Sequence, residues 1–368
     1  MVGRIGVVLG AMSLLAGPVA GQGLSLTIND VGLGIGDVPR VTGLRLNFRD
    51  RALERVSGIN ATIWTPYQED SGTVDGLALG IPATGAGRIN GLAASVFGAA
   101  ATRSFTGIGI GGLGLGAGEN LTGIMLGGLG AGAGKSIEGI VVGGLGVGAG
   151  GRVSGLAAGG LGVGTGGDFS GIGVGGLGLG AGGRFSGIGI GGLGIGASEG
   201  IRGVAIGGLG VGSGEGLVGL GVGGLGVGSG GDVIGVTIGG LGVGAGGSIT
   251  GITIGGIGVG SGGRIHGVTI AGIGIGAPRL DGVAAALAVG AKDAHALVLA
   301  PAYFKVLDDG SFSGASVSAV NRVLGDQHGL TIGIVNYART LDGCQLGLVN
   351  ISDNGGRLLV LPIVSVRR

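Results

Sequence analysis

Along the middle of this chain, aliphatic and glycine positions alternate with a fixed wavelength. A unit of sixteen residues is written eleven times between Phe105 and Pro278 without insertion or deletion, from Phe105-Thr-Gly-Ile-Gly-Ile-Gly-Gly-Leu-Gly-Leu-Gly-Ala-Gly onward. We name each row of equivalent positions after its residue in the first copy. The Gly107, Gly112, Gly114 and Gly116 rows are glycine in all copies; the Ile108 row holds only Ile, Leu and Val, and the Leu113 row only Leu and Ile. The Ile110 and Leu115 rows are aliphatic with one alanine each (Ala158, Ala131), the Phe105 row is Phe, Leu, Ile or Val, and the Ala117 row is Ala, Ser or Thr. The alternation in Gly-Ile-Gly-Ile and in Leu-Gly-Leu-Gly-Ala has period two, the mark of a β-strand. The aliphatic parity shifts across Gly111-Gly112, which predicts a corner or bulge there. A second break, from Gly118 to Asn120 and its equivalents, gathers Glu, Lys, Arg, Asp, Ser and Gly and predicts a solvated turn.

Two short strands and two corners in sixteen residues describe one coil of a β-solenoid, because so short a unit cannot bury an apolar face without its neighbours. The fold class expected is thus all-β, a glycine-rich solenoid with about 16 residues per coil. The aliphatic rows are expected to point inward, about six side chains per coil, leaving glycine on the opposite face. Eleven coils at about 4.8 Å each would make a rod of roughly 50 Å. The alternative is an up-and-down, outer-membrane type β-barrel with one bulged strand per repeat. Against it stand a lumen lined by glycine and an aromatic content of 3%, too low for aromatic girdles.

The flanks carry divergent copies, so we divide the chain into residues 1–21 (export signal), 22–104 (N-terminal repeats and cap), 105–278 (regular repeats) and 279–368 (C-terminal repeats and cap). The signal is read from Arg4, the mostly apolar run Ile5 to Ala20 and the small residues before Gln22, with cleavage expected after Gly21. Charge gathers upstream at Arg45, Arg49, Asp50, Arg51, Glu54 and Arg55, which suits a cap that blunts an open sheet edge. Downstream, Asn321, Asn336 and Asn350 align with the Gly114 row; we expect a stacked Asn ladder there, at a corner of positive φ.

Composition narrows the classes. Glycine is 104 of 368 residues with only seven prolines and no Gly-X-Y period, which excludes collagen. Hydrophobic residues are 44% and mean hydropathy is +0.68, against a disordered linker. Lys plus Arg is 21 and Asp plus Glu is 20, which removes the electrostatic case for nucleic acid. Cys344 is the single cysteine and is expected to be a small buried apolar residue.

No catalytic, cofactor-binding or metal-ligating residue is expected, and no cofactor. Gly109-x-Gly111-x-x-Gly114 matches a dinucleotide fingerprint, but it recurs through the repeats with no helix after it. Gly130-Ala-Gly-Ala-Gly-Lys135-Ser136 lacks the first glycine of a phosphate loop, because that position is Leu129. Asp168 and Asp232 are too sporadic for calcium-binding turns, and His266, His295 and His328 lie in separate segments without paired ligand spacing. Thr237, Thr253 and Thr269 share one row, read as variation on an exposed strand.

The units Gly329-Leu-Thr-Ile-Gly-Ile-Val-Asn and Gly343-Cys-Gln-Leu-Gly-Leu-Val-Asn, the Gly-Gly-Leu-Gly-Val-Gly-Ala-Gly core and the flank Leu44-Arg-Leu-Asn-Phe-Arg-Asp-Arg together resemble the bacterial, leptospiral-type surface repeat-containing proteins. The resemblance covers nearly the whole chain beyond the signal. It implies an exported envelope protein with no activity assigned and no functional residues to carry over. Gln345-x-Gly347-x-x-Asn350 is similar to the curlin repeat, with Ser352 where alanine is usual; the eleven regular copies lack its Gln and Asn, so fibres are not expected. The function expected is a non-enzymatic surface or periplasmic structural and interaction protein, with an outer-membrane pore or assembly component as the alternative. Partners are expected among envelope components or surface ligands, with membrane association as a further alternative, although the charge balance removes the electrostatic case for an anionic membrane surface.

Overall fold

The computed structural model describes residues 23–67, 72–356 and 358–367; the expected export signal and the cleavage after Gly21 lie outside them. The described residues form thirty-five β-strands and no helix. Each regular coil has one long strand, such as Asn120–Gly127, and one short strand, such as Gly130–Ala133. Each pairs in parallel with its copy sixteen residues away, so that Ile124 stands opposite Ile140 and Gly130 opposite Gly146. About 19 such coils form a β-solenoid of roughly 90 Å, and the barrel reading is overturned: strands pair with the next coil, not with their neighbours in sequence.

Backbone rather than side chains fixes the path of the coil. The Gly107 row has positive φ throughout, as at Gly187 (+130°), and a Cβ there would overlap the carbonyl oxygen of Gly171 in the preceding coil. The stack is therefore closer than any L side chain allows at that row. By contrast, a Cβ on Gly180 or Gly196 would meet nothing within 4 Å. The Gly116 row is glycine without any demand from its own chain that we can identify.

The core is built from other rows than the aliphatic pattern suggests. The Phe105 row is fully buried (Phe105, Leu121, Ile137 and Phe169 at 0%), and so is the row of Gly109, where Met125, Val141 and Ala157 are also at 0%. The Leu115 row and the Ala117 row supply the opposite wall. The Ile108, Ile110 and Leu113 rows point outward: Ile188 is 44%, Ile190 45% and Leu177 50% exposed. The expectation that these aliphatics face inward is thus corrected. Once Phe105 is placed inward, period two brings Gly109 and Gly111 inward as well, while Gly107 between them is half-buried and turned along the stack by its positive φ. Glycine lies inside because the core is thin. Adding a Cβ to Gly173 would bring it within 2.8 Å of Phe169 Cζ, and one on Gly189 would meet Phe185 Cζ at the same distance. Where the Phe105 row is Phe, the Gly109 row is Gly; where it is Val153, the partner is Ala157; where it is Val233, the partner is Thr237. In these coils the larger residue of one row faces the smaller of the other, as close packing favours, whereas Leu121 with Met125 and Leu217 with Gly221 show that the summed volume differs from coil to coil. Phe169 and Phe185 stack at 5.0 Å between centroids, one coil above the other.

Thr237, Thr253 and Thr269 are therefore core residues, at 0%, 1% and 1% exposure, with Thr237 and Thr253 hydroxyls 3.1 Å apart. The reading of that row as an exposed strand is corrected.

Candidate contact surface

The outer wall of the rod divides by row. The long strand shows Ile108 and Ile110 and their copies, and the Leu113 row follows at the corner as a ridge. Across eleven coils these three rows contain Ile, Leu, Val and one alanine, Ala158, and no polar residue. The same rows continue through the flanks, with Leu44, Ile59 and Leu92 upstream and Leu297, Leu299 and Ile332 downstream all exposed. Cys344 stands in the continuation of the Ile108 row, facing outward and half-buried, rather than in the core where it was expected. Beyond the ridge, the short strand presents the Gly114 and Gly116 rows, and a shallow groove of about 570 Å³ runs past Gly164, Gly180, Gly196 and Gly212. Near the N-terminal end a second groove, about 740 Å³, lies between Trp64, Phe97 and Leu113.

Charge sits mostly on the turn that joins one coil to the next, with Glu138 and Arg202 exposed on the long strand two residues before the Ile108 row. Lys135 Nζ lies 3.2 Å from Glu119, and Arg184 lies 3.6 Å from Glu199, both exposed pairs that contribute little individually. Asp168 and Asp232 accept backbone N–H bonds from Arg184 (2.8 Å) and Ser248 (2.7 Å), each tying its turn to the same turn of the next coil. His295 Nδ1 is 3.5 Å from Asp281 and His328 Nδ1 is 3.3 Å from Asp342, each a surface pair. The structure brings together no group of three metal-ligating side chains among the described residues. Lys135-Ser136 belongs to a turn and strand start, and Gly109, Gly111 and Gly114 are spread over the core side, the corner and the outer wall.

Both ends of the core are polar, which sequence reasoning found only in part. At the N-terminal end Arg45 continues the inward Gly109 row, through Asn60, Ala78 and Ala93. Its guanidinium is fully buried, donates to Val38 O (2.8 Å) and Asn60 Oδ1 (3.0 Å), and pairs with Asp50 and with Asp37 (3.4 Å). Arg45 and Asp50 thus plug the interior instead of lying on a sheet edge. Arg49 and Arg51 remain at the surface around Tyr67, with the Arg49 guanidinium 3.7 Å from the ring centroid. The hydrogen bond from Arg51, helped by that from Arg49, holds the Tyr67 phenol below its ordinary value near 10.

At the C-terminal end Asn321, Asn336 and Asn350 do form a ladder: Asn321 Nδ2 donates to Asn336 Oδ1 and Asn336 Nδ2 to Asn350 Oδ1, both at 2.7 Å. Their register is corrected. Asn321 pairs with Phe304, Phe304 with Val289 and Val289 with Ile275, so the ladder extends the inward Leu115 row, not the Gly114 row, and no member has positive φ. Gln345 Nε2 donates to Gln327 Oε1 (3.1 Å) in a second buried amide pair. The signal for the correct register was the apolar-to-amide change itself, since three buried amides one above another satisfy each other as three surface ones need not.

Comparison with known protein families, with curated proteins and with solved structures found no match to this chain.

Proposed function

We propose that this chain is a non-enzymatic, exported structural protein of the bacterial envelope, a rigid rod whose long outer wall serves as a contact surface. The observation that carries the reading is the outward aliphatic wall, repeated in eleven consecutive coils without one polar interruption. A surface of that size on a soluble chain marks an interaction site, since ordinary monomers expose apolar patches of only about 300–600 Å². Arg4 and the apolar run Ile5 to Ala20 support export, and so does the resemblance to leptospiral-type surface repeat proteins. Rigidity follows from the stack, in which each coil touches only its neighbours and each backbone group pairs along the rod. Fractionation of cells producing the chain, with protease added to intact cells, tests the assignment. Recovery in the envelope or periplasm is expected; recovery of the chain, with its first 21 residues retained, in the cytosol refutes it.

A further inference from the structure

The outer aliphatic wall has dimensions that can be compared with a binding partner's. The Ile108 and Ile110 rows span three residues of one strand, a strip about 10 Å wide, with the Leu113 ridge round the corner from it; over eleven coils, about 53 Å, the strip covers roughly 500 Å², and along the whole stack of about 19 coils roughly 900 Å². A stable protein–protein interface covers about 800 Å² on each partner. We propose that two copies of this chain pair side by side through these walls, with the Leu113 ridge closing one margin.

Three features select a second copy over other occupants. The first is period. Side chains in the Ile108 and Ile110 rows recur at the coil spacing, about 4.8 Å, for the whole length of the rod. A globular partner could match that spacing over a few rungs at most, whereas another copy matches it throughout, and an isologous two-fold pair sets the same rows against each other. The second is charge. No residue of the three rows is charged; the charged positions lie on the coil-to-coil turn, where Glu119, Lys135, Arg184 and Glu199 mix both signs, and in the outward Thr106 row beside the wall, where Glu138 and Arg202 stand singly. Pairing through the three rows therefore buries no charge of their own, and the mixed signs along the margin steer neither an acidic nor a basic ligand. The third is the absence of interfacial aromatics along the regular wall. Trp and Tyr anchor peripheral proteins to bilayers together with an excess of basic residues; the regular repeats contain no Trp or Tyr, Phe105, Phe169 and Phe185 are all buried, and the basic residues beside the wall, such as Lys135 and Arg184, are mixed with Glu119 and Glu199.

The Gly114 and Gly116 rows are not needed for this contact, which gives the test an internal control. The pairing rests on the exposed rows and not on the chain's destination, so it would hold even if the assignment to the envelope failed.

Sedimentation velocity of the purified chain, from nanomolar to tens of micromolar, should show a concentration-dependent dimer whose cross-section, not its length, is doubled. The sixth copy lies at the centre of the wall, and a two-fold pair meets each substitution twice. Ile188→Lys with Ile190→Lys should weaken pairing by at least about a hundredfold, while far-ultraviolet circular dichroism stays unchanged. Should the lysines disturb folding, the uncharged pair Ile252→Gln with Ile254→Gln should still weaken it. Gly180→Ser, on the glycine wall, should leave the dimer intact. A chain that stays monomeric throughout, or a dimer that survives both aliphatic variants, overturns the proposal. So does a monomer that floats with phosphatidylcholine vesicles, which would give the wall to lipid.

Discussion

The compensation of volume within a coil can be tested as a coupling. Phe169 and Gly173 occupy the two core rows of one coil, and the coil before it has Val153 and Ala157 in the same places. Phe169→Val removes four carbons from a fully buried site, about 3 kcal/mol at roughly 0.8 kcal/mol per carbon, and leaves Phe185 without its stacking partner. Gly173→Ala adds a Cβ 2.8 Å from Phe169 Cζ and in overlap with Leu179 Cδ1, an overpacking that costs about 1–3 kcal/mol. The double variant recreates the Val/Ala pair of the preceding coil, so the clash with the phenyl ring disappears and only the displacement of Leu179 remains. The two changes together should cost about 1–2 kcal/mol less than their sum. Urea denaturation followed by circular dichroism measures the cycle; amide hydrogen exchange across residues 153–191 checks that the loss is local, as expected of a stack with nearest-neighbour coupling. Strict additivity, or a stabilising Gly173→Ala, would refute the reasoning that these rows share one space.

The inward and outward rows differ in their tolerance of charge. Leu177→Asp, at the exposed ridge, should change the stability of the monomer by no more than about 0.5 kcal/mol, whereas Leu179→Asp, two residues on and 3% exposed, should cost several kcal/mol and melt the coil; equal melting temperatures would invert the assignment of the rows. The glycine rows should separate likewise in thermal denaturation. Gly187→Ala forces a Cβ into the Gly171 carbonyl at positive φ and should cost at least about 2 kcal/mol, while Gly180→Ala, with open space around it, should be neutral or stabilise by up to about 1 kcal/mol.

The sequence disclosed the coil but not which of its faces lies inside. Fixed rows at sixteen-residue spacing required stacked copies, and the pairing of Ile124 with Ile140 is what that spacing implies. Hydrophobicity then misled, because burial usually follows apolar character and here Ile188 and Leu177 are exposed while Gly173 and Gly189 are inside. Part of the information was present in a different form: each Phe of the Phe105 row (Phe105, Phe169, Phe185) has glycine in the Gly109 row of its coil, as contact between the two requires, while the Leu and Ile coils follow no such rule. The buried charge of Arg45 was illegible for another reason. Its partners Asp37 and Asp50 lie eight and five residues away on irregular segments, and no periodicity connects them. The contact wall was hidden by the same inversion that misplaced the core.

The ends of the rod explain why the stack stops. A parallel coil offers the next chain an open ladder of backbone donors and acceptors, and both terminal strands meet that hazard by running the wrong way: Gly23–Ile28 pairs antiparallel with Val31–Gly36, and Leu358–Arg367 antiparallel with Gly343–Asp353. At the C-terminal end the amide ladder reaches into the cap, since Asn350 Nδ2 donates to Leu361 O at 3.3 Å. The interior there is also polar, so an uncapped end is less sticky than an aliphatic one but not closed. Ending the chain after Asp353 removes the antiparallel strand and frees the backbone edge of Gly343–Asp353, with Asn350 losing its Leu361 acceptor. Only one end is then open, and two open ends can pair only with each other. The expected product is an end-to-end dimer with about twice the roughly 90 Å length of one rod and an unchanged cross-section, by small-angle scattering. Removing Gly23–Ile28 as well opens both ends, and fibres that bind thioflavin T should follow. A doubly truncated chain that remains monodisperse would show that the antiparallel strands are not what terminates the stack.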